Sequence, residues 1–340
     1  MKNSHSCFII AEIGVNHNNN MKLARKLILA AKQAGADAVK FQTFKADTLA
    51  LKNTPKVSYQ KRNGHIKETH HSMLKKLELS KKNHLLIQKI CVMNNIEFIS
   101  TPYDLESAKF LSKIGVKKFK IASADIVDHQ MHNYLAKKNK EVIISTGMST
   151  IDEITQTINI YKTKKNNKFS ILHCVSNYPC SDESLNLKNI LTLQKKFKCK
   201  VGFSDHSIGN ISAIIAIGYG AKIIEKHFTL DKKMKGPDHL ASSTPKEFSS
   251  LVKDIKRAEK ALGSLSRKIQ REELSMRNVS RKSLIYKKNL KINQILTDKD
   301  ITSIRPGNKI LGNKINFFIG KKLKKSVKKY EHLKFTDVKR

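Results

Sequence analysis

The stretch VGFSDHSIGNISAIIAIGYGAKIIEKHFT, residues 201–229, decides the fold of this chain. It contains two continuous apolar runs, which predict β-strands over 200–205 and 222–229. Between them, apolar residues recur with helical spacing and predict a helix over 209–219. Continuous apolar strands that flank a helix are typical of a parallel sheet covered by helices. The stretch therefore predicts one unit of a parallel α/β fold.

The same alternation of strand and helix occupies the first 265 residues. Further strands are predicted over 7–15, 38–44, 97–103, 118–125, 141–147 and 169–176. Further helices are predicted over 21–35, 81–95, 105–114, 130–138, 151–163, 187–197 and 245–262. The last helix should begin with a capping box, because Thr244 is followed three residues later by Glu247. Eight such units predict a (β/α)8 TIM barrel. A dinucleotide-binding fold has no support, because no GxGxxG motif follows the first strand.

The sequence changes character after residue 265. Residues 266–282 are polar and charged and are interpreted as a linker. Residues 283–340 contain short apolar runs and turns such as RPGN at 305–308, which predict a small β-rich domain. The predicted organisation is therefore a barrel domain over 1–265, a linker and a small C-terminal domain.

The chain is strongly basic, with 66 Lys and Arg against 28 Asp and Glu and a formal net charge of +38. Such an excess is common in nucleic-acid-binding proteins. Here, however, the lysines are spread along the whole chain, and no helix-turn-helix, zinc-finger or ribonucleoprotein motif is visible. We expect no specific nucleic-acid partner. Nonspecific binding of polyanions stays open, and the positive field would help to gather a phosphorylated substrate.

The cysteine pattern indicates a reducing compartment. The five cysteines form no CxxC pair, and an odd number without regular spacing predicts reduced thiols and a cytoplasmic location. Cys174 lies within an apolar strand and is interpreted as a packing residue. No signal peptide is expected, because the apolar run at 8–11 is short. No membrane association is expected either, because no run approaches the roughly 20 apolar residues that span a bilayer.

Two histidines are placed at equivalent ends of successive predicted strands. His206 and His227 could together hold one divalent metal ion over an active site. The alternative is that each imidazole is satisfied by hydrogen bonds unrelated to the other, and for either histidine alone that alternative is favoured. Their equivalent positions beside Ser204, Asp205 and Glu225 favour a metal site.

Buried charges inside other strands indicate an anionic substrate. Lys40 and Lys120 lie within apolar runs, where an ammonium group is costly to bury unless an anion or a partner neutralises it. Such lysines, with Ser and Thr hydroxyls nearby, are suited to a phosphate or carboxylate. Glu12 also lies within an apolar strand, where it could act as a general acid/base or pair with a lysine. Together with the histidines, these residues favour an enzyme over a binding module.

The motifs of this chain match one known family in order and over nearly its whole length. They are AEIGVNHN (11–18), VKFQT (39–43), FISTP (98–102), FKIASAD (119–125), STGM (145–148), FSDHS (203–207), EKHFT (225–229) and GPDHLAS (236–242). With these motifs the chain resembles the bacterial sialic acid synthases, which include N-acetylneuraminate synthase and its legionaminate and pseudaminate relatives. The tail, marked by RPGN, resembles the antifreeze-like (SAF, β-clip) domain of these enzymes.

The resemblance implies a transferase that condenses phosphoenolpyruvate with an N-acylated mannosamine-type aldose, with C–O cleavage and release of phosphate. The first choice is an N-acetylneuraminate synthase that uses N-acetylmannosamine. The alternatives are a legionaminate synthase that uses a 2,4-diacetamido-trideoxy hexose and, less favoured, a pseudaminate synthase. A non-enzymatic alternative is a binding protein with an inactive barrel, but the polar residues at the strand ends speak against it.

The resemblance also implies roles for matching positions. Phosphoenolpyruvate would be held by Lys40, Thr101, Lys120, Ser123, Ser176 and Ser204. The sugar would be contacted by Gln42, Asp125, Tyr178 and Asp238. His206 and His227 would bind Mn²⁺, with Mg²⁺ and Co²⁺ as alternatives, and Glu12 would assist proton transfer.

Three positions need separate mention. Arg305 would reach over the partner's barrel to the N-acyl group of the sugar in a domain-exchanged homodimer. Asp125 stands where many bacterial members have Glu, so its reach toward the sugar is one methylene shorter. Ser176 stands where some members have Asn. These departures put the sugar preference in question rather than the activity.

Overall fold

The computed structural model describes residues 6–57 and 68–339. The chain divides into two compact units, Met1–Gly263 and Ser264–Arg340.

The first unit contains a closed barrel of eight parallel strands, in which each strand pairs with the next and the eighth pairs with the first. The strands are β1 (Phe8–Gly14), β2 (Ala38–Thr43), β3 (Glu97–Pro102), β4 (Lys118–Ile121), β5 (Glu141–Ser145), β6 (Phe169–Cys174), β7 (Lys200–Asp205) and β8 (Ile223–His227). The prediction of a (β/α)8 barrel is therefore confirmed.

Helices connect these strands. They are α1 (Met21–Gln33), α2 (Ala46–Leu49), α3 (His70–Leu77), α4 (Lys81–Met93), α5 (Leu105–Lys113), α6 (His129–Lys137), α7 (Ile151–Thr163), α8 (Asp182–Leu185), α9 (Asn189–Phe197), α10 (Ile211–Gly218) and α11 (Pro245–Leu262). The capping box at the start of α11 is confirmed, since Thr244 N donates to Glu247 Oε2 and Glu247 N donates to Thr244 Oγ1. Within the described residues, no helix has both the length and the apolar character needed to cross a bilayer.

The interior of the barrel has an apolar floor. It is formed by Ile10, Ala38, Ile99, Ile143, Leu172 and Ile223, all buried. Gly202 completes this layer, because a Cβ there would overlap the Ile223 carbonyl oxygen and the Leu172 side chain. Strand side chains alternate between faces, so the residues two positions further along also point inward. Those residues are polar, and the floor therefore supports a layer of functional groups at the carboxyl ends of the strands.

The fourth strand differs from the prediction. A strand was expected over 118–125, but β4 ends at Ile121, and a short 3-10 helix follows over Ser123–Val127. The chain turns there because Asp125 N donates to Ala122 O and the Asp128 side chain already caps α6. The short helices α2, α3 and α8 were also not predicted.

The second unit has its own small core. Helix α12 (Glu273–Ser280) lies within the segment that was interpreted as a linker. Strands β9 (Ser283–Tyr286) and β10 (Ile301–Ile304) pair antiparallel, and isolated bridges join other segments. The core consists of Leu284, Tyr286, Leu290, Leu296, Ile301, Phe318, Leu323, Val327, Leu333 and Val338. The antifreeze-like assignment of this unit stays a prediction.

Candidate active site

A cavity of about 650 Å³ opens at the carboxyl ends of the barrel strands. Twelve of the predicted site residues line it: Glu12, Lys40, Gln42, Lys120, Ser123, Asp125, Ser176, Tyr178, Ser204, His206, His227 and Asp238. Thr101 lies directly behind this lining, where its hydroxyl accepts a hydrogen bond from Lys40 Nζ at 3.2 Å. The fold thus brings together residues from six strands, β1 to β4, β7 and β8, and from the loops after β4, β6, β7 and β8.

Two lysines and two glutamates, all buried, form the base of the cavity. Lys40 Nζ lies 2.8 Å from Glu12 Oε2 and 3.8 Å from Glu225 Oε1. Lys120 Nζ lies 3.3 Å from the same Glu225 oxygen and donates to Ser145 Oγ at 2.7 Å. Of the two alternatives for Glu12, pairing with a lysine is present, and the acid/base role stays a prediction.

The surroundings of Glu12 and Glu225 shift their pKa values in opposite directions. Burial raises the pKa of Glu12, although Lys40 opposes the shift. Burial would also raise the pKa of Glu225, but Lys120 and Lys40 outweigh it and hold that pKa below its usual value. Burial lowers the pKa of Lys120. The pKa of Glu12 is raised to about 7, so both of its forms are populated near neutral pH; when it is protonated and Glu225 is ionised, two ammonium groups face one negative charge, which leaves a net positive site for an anion.

The positions of the Ser123 and Ser176 hydroxyls depend on the absence of a side chain at Gly147. Gly147 N donates to Ser123 Oγ at 3.0 Å. A Cβ on Gly147 would lie 2.9 Å from Ser123 Oγ and closer still to Ser176 Oγ. The STGM motif therefore has a physical role, because only glycine leaves room for both hydroxyls beside the lysines.

The two imidazoles meet beside this anion site. Their ring centroids lie 5.6 Å apart, and the Tyr178 ring packs 4.0 Å from that of His206. His206 Nδ1 donates to Val175 O at 2.7 Å, and Nε2 lies 3.4 Å from Ser204 Oγ, which donates to Glu225; in the neutral ring the lone pair is therefore on Nε2. His227 Nδ1 is buried and has no hydrogen-bond partner among the described residues. Burial, with the charge of His206, lowers the pKa of His227 well below its usual value, so this ring is neutral.

This donor set fits a divalent cation. Imidazole nitrogens are common ligands of transition metals, and the buried His227 Nδ1, without a hydrogen-bond partner among the described residues, is a candidate ligand. In residues 6–57 and 68–339, no group of three or more His, Cys, Asp or Glu side chains is arranged to hold a metal. A cation at His206 and His227 would therefore complete its coordination with substrate or solvent oxygens.

Three polar side chains line the outer part of the cavity. Gln42 Nε2 donates to Glu12 Oε1 at 3.4 Å. Asp125 Oδ2 is buried without a hydrogen-bond partner in the described structure, and burial, assisted by Asp128, raises its pKa to about 7. Burial also raises the pKa of Asp238 to about 6. These carboxyl groups are suited to hydrogen bonds with a neutral, polar substrate.

Glu225 and Cys174 are among the cavity residues that received no role from the sequence. Glu225 binds both lysines and accepts a hydrogen bond from Ser204 Oγ at 3.0 Å. Cys174 was interpreted as packing, yet it lines the cavity 3.7 Å from His206 Nδ1. The two-residue period of the strands could have identified both, because Glu225 precedes His227 by two positions and Cys174 follows the inward-facing Leu172 by two.

Arg305 belongs to the second unit. Its Nε donates to Ser280 O at 3.0 Å, and the side chain is exposed. Its predicted contact with the sugar of a partner subunit stays a prediction.

Comparisons with known proteins show which family this chain is similar to. The model of the NeuB family matches residues 27–267. The chain is 43% identical over 324 residues to the N,N'-diacetyllegionaminic acid synthase of Legionella pneumophila, covering 94% of this chain and 91% of the relative. It is 41% identical to the enzyme of the same name from Campylobacter jejuni, covering 95% and 97%. A crystal structure of N-acetylneuraminic acid (sialic acid) synthetase from Leptospira borgpetersenii superposes with a TM-score of 0.71 at 36% identity, covering 80% of this chain and 90% of that one.

Proposed function

This chain belongs to the NeuB family of sialic acid synthases and is a phosphoenolpyruvate-dependent condensing synthase, and we propose that its acceptor is a 2,4-diacetamido-trideoxy hexose. The product would then be N,N'-diacetyllegionaminate. The observation that carries this choice is the identity of 43% and 41%, over more than nine-tenths of the chain, to two legionaminic acid synthases. It favours the legionaminate alternative over the N-acetylneuraminate synthase that was the first choice from the sequence.

The cavity supports this acceptor at one position. A 2,4-diacetamido sugar carries an acetamido group where N-acetylmannosamine carries a hydroxyl, so it needs more room and a polar partner. Asp125, one methylene shorter than the Glu of many bacterial relatives, would leave that room if the additional acetamido group lies beside it, and its buried Oδ2 lacks a hydrogen-bond partner among the described atoms. Because its pKa is raised to about 7, the carboxyl group is largely protonated below that pH and could donate to an amide carbonyl.

The lysines hold phosphoenolpyruvate in the proposed reaction. Lys40 and Lys120 attract its phosphate and carboxylate, and the hydroxyls of Thr101, Ser123, Ser176 and Ser204 complete the hydrogen bonds. Carbon 3 of phosphoenolpyruvate attacks the aldehyde carbon of the open-chain sugar. Water adds at carbon 2, and phosphate leaves with cleavage of its C–O bond.

We assign the proton transfer to Glu12, because its contacts reach residues that we assign to each of the two substrates. It contacts Lys40, which we assign to phosphoenolpyruvate, and Gln42, which we assign to the sugar. Because burial favours its protonated form, Glu12 can give a proton to the oxygen that becomes negative when the aldehyde is attacked. When bound at His206 and His227, a divalent cation, with Mn²⁺ favoured over Mg²⁺ and Co²⁺, supplies Lewis-acid polarisation of that carbonyl.

Three further parts of the proposal rest on the family resemblance. The second unit is proposed to be an antifreeze-like domain, and Arg305 is proposed to contact the N-acyl group of the sugar in a domain-exchanged homodimer. Tyr178 and Asp238 are proposed to contact the sugar.

Phosphate release from phosphoenolpyruvate tests the acceptor. Purified enzyme with Mn²⁺ is assayed with 2,4-diacetamido-2,4,6-trideoxymannose and, separately, with N-acetylmannosamine, each with and without EDTA. We expect kcat/KM at least about tenfold higher for the diacetamido sugar, the scale of one additional well-placed contact, and loss of turnover with EDTA. A preference for N-acetylmannosamine would restore the neuraminate assignment. Release with neither sugar would support the binding-protein alternative.

A further inference from the structure

A buried ion pair lies on the opposite face of the strands that carry the two imidazoles. Lys226 Nζ donates to Asp205 Oδ2 at 2.6 Å, and these side chains are 6% and 0% exposed. The two residues are register partners on β7 and β8. Because strand side chains alternate, Asp205 and Lys226 point outward where His206 and His227 point inward. A hydrogen bond from Ser212 Oγ on α10 to Asp205 Oδ2 agrees with the outward direction.

The pair is fully hydrogen-bonded. Asp205 Oδ1 accepts from both the backbone N and the hydroxyl of Ser207, at 2.9 Å and 2.6 Å. Its Oδ2 accepts from Lys226 and Ser212. A buried ion pair of this kind contributes little net stability compared with apolar side chains of the same size. Stability alone is therefore a poor reason for two buried charges at this position.

Lys226 also forms a hydrogen bond with the segment that follows the last paired residue of β7. The pairing of β7 with β8 ends at Asp205 and Lys226. Past that point, Lys226 Nζ donates to Ser207 O at 2.9 Å. The residue immediately before His227 thus binds the residues on both sides of His206.

Two other contacts of His206 join it to the segment that follows β6. Its ring donates to Val175 O, and its carbonyl oxygen accepts from Cys180 N at 2.9 Å, so both contacts connect it to the segment after β6. A longer contact of 3.4 Å joins its Nε2 to Ser204 Oγ, which donates to Glu225 on β8. The link through Lys226 instead connects the chain around His206 to β8, which carries His227. It is the link to β8 with the shorter hydrogen bonds, so we expect the separation of the two imidazoles to depend on it.

We propose that Asp205 and Lys226 are positioning residues that set the separation and orientation of His206 and His227, and with them the affinity of the site for a divalent cation. This inference rests on the proposed metal-binding role of the two imidazoles. Neither Asp205 nor Lys226 lines the cavity.

Calorimetric titration of the full-length, metal-free chain with Mn²⁺, without substrates, tests the inference independently of turnover. Lys226→Met removes the ammonium group and keeps most of the apolar stem. We expect it to weaken Mn²⁺ binding by roughly 10- to 100-fold, the usual effect of losing a group that orients a metal ligand. Lys118→Met is the matched control, because Lys118 bridges neighbouring strands to Glu97 at 2.9 Å at the opposite end of the barrel. It should leave Mn²⁺ affinity at the wild-type value.

A second variant separates positioning from stability. Asp205→Asn combined with Lys226→Met removes both buried charges, so we expect it to recover much of the urea resistance lost in Lys226→Met. Its Mn²⁺ affinity should stay low, because the link between β8 and Ser207 is still absent. Recovery of Mn²⁺ affinity together with stability would overturn the inference, as would wild-type affinity in folded Lys226→Met.

The same titration distinguishes this inference from the proposed function. If the wild-type chain binds no Mn²⁺, the positioning role is refuted together with the metal assignment. Phosphate release by that same preparation would show that the synthase assignment survives. If the wild-type chain binds Mn²⁺ but releases no phosphate with either sugar, the proposed acceptor is wrong and the variants still decide the positioning role.

Discussion

Replacing Lys120 by Met removes an ammonium group to which we assign two roles. It neutralises Glu225 at 3.3 Å, and it binds the anionic groups of phosphoenolpyruvate. Lys120 is 2% exposed, so solvent cannot substitute for either interaction without a rearrangement. The variant should therefore lose both stability and substrate affinity.

The two losses have different magnitudes. Unit charges at this separation attract by about 5 kcal/mol at an effective dielectric constant of about 20. Lys40 still neutralises Glu225 in part from 3.8 Å, so we expect Lys120→Met to lower the free energy of unfolding by about 3 kcal/mol, the lower end for a broken buried pair. A hydrogen bond to a charged group contributes about 1.5–3 kcal/mol, so the KM for phosphoenolpyruvate should rise roughly 10- to 100-fold.

Urea unfolding and phosphate-release kinetics measure the two effects separately. In the double variant Lys120→Met with Glu225→Gln, the opposing charge is also removed, so stability should recover by more than half. The KM for phosphoenolpyruvate should remain high, because the cation is still missing. Lys118→Met, which also removes one lysine from a strand-bridging pair, should leave this KM unchanged. An unchanged KM in Lys120→Met, or its recovery in the double variant, would refute the assignment of Lys120 to the substrate.

Three further predictions concern the metal, a buried acid and the second unit. His206→Ala and His227→Ala should each abolish metal-dependent turnover and Mn²⁺ binding while the circular dichroism spectrum is kept; full activity in either variant would contradict the metal assignment. Asp125 has a pKa raised from 3.8 to about 7, so its contribution to stability is complete below about pH 4 and is lost as pH rises through 7. The shift of about three units corresponds to at most about 4 kcal/mol, and Asp125→Asn should therefore gain stability relative to the wild type between pH 4 and pH 8 in urea titrations. If that difference is independent of pH, Asp125 does not titrate as proposed. Deletion of 283–340, or Arg305→Ala, should raise the KM for the sugar and leave that for phosphoenolpyruvate nearly unchanged; unchanged sugar kinetics in both variants would exclude a role for Arg305.

The barrel could be predicted because its sequence pattern, an apolar strand followed by a helix, is local and repeated along the chain. Each strand is a short apolar run with a helical pattern after it, and parallel strands joined in this way have few arrangements that bury both faces. The placement of Lys40 and Lys120 in the site could also be predicted from a local pattern. A charge within an apolar strand needs a partner, and in a barrel such side chains converge on one axis.

The end of the fourth strand was less predictable. The run over 118–125 continues with small residues after Ile121, and nothing in their composition marks a turn. The strand ends there because Ser123–Val127 form a 3-10 helix that leads directly into Asp128, the N-cap residue of α6. The position of this N-cap depends on where α6 packs. Local propensity therefore could not place Ser123 and Asp125 on a turn at the edge of the cavity.

By itself, the sequence determined the barrel, its polar strand ends and the family to which the chain belongs, because periodicity and ordered motifs are properties of neighbouring residues. Only the tertiary structure decided which charges meet. It paired Glu12 with Lys40, placed Glu225 between both lysines, and linked Lys226 to both neighbours of His206. These contacts join strands that are tens of residues apart, and their geometry depends on strand register and on the closure of the barrel. No local pattern specifies a distance across that closure, so the chemistry of the site became visible only in the folded chain.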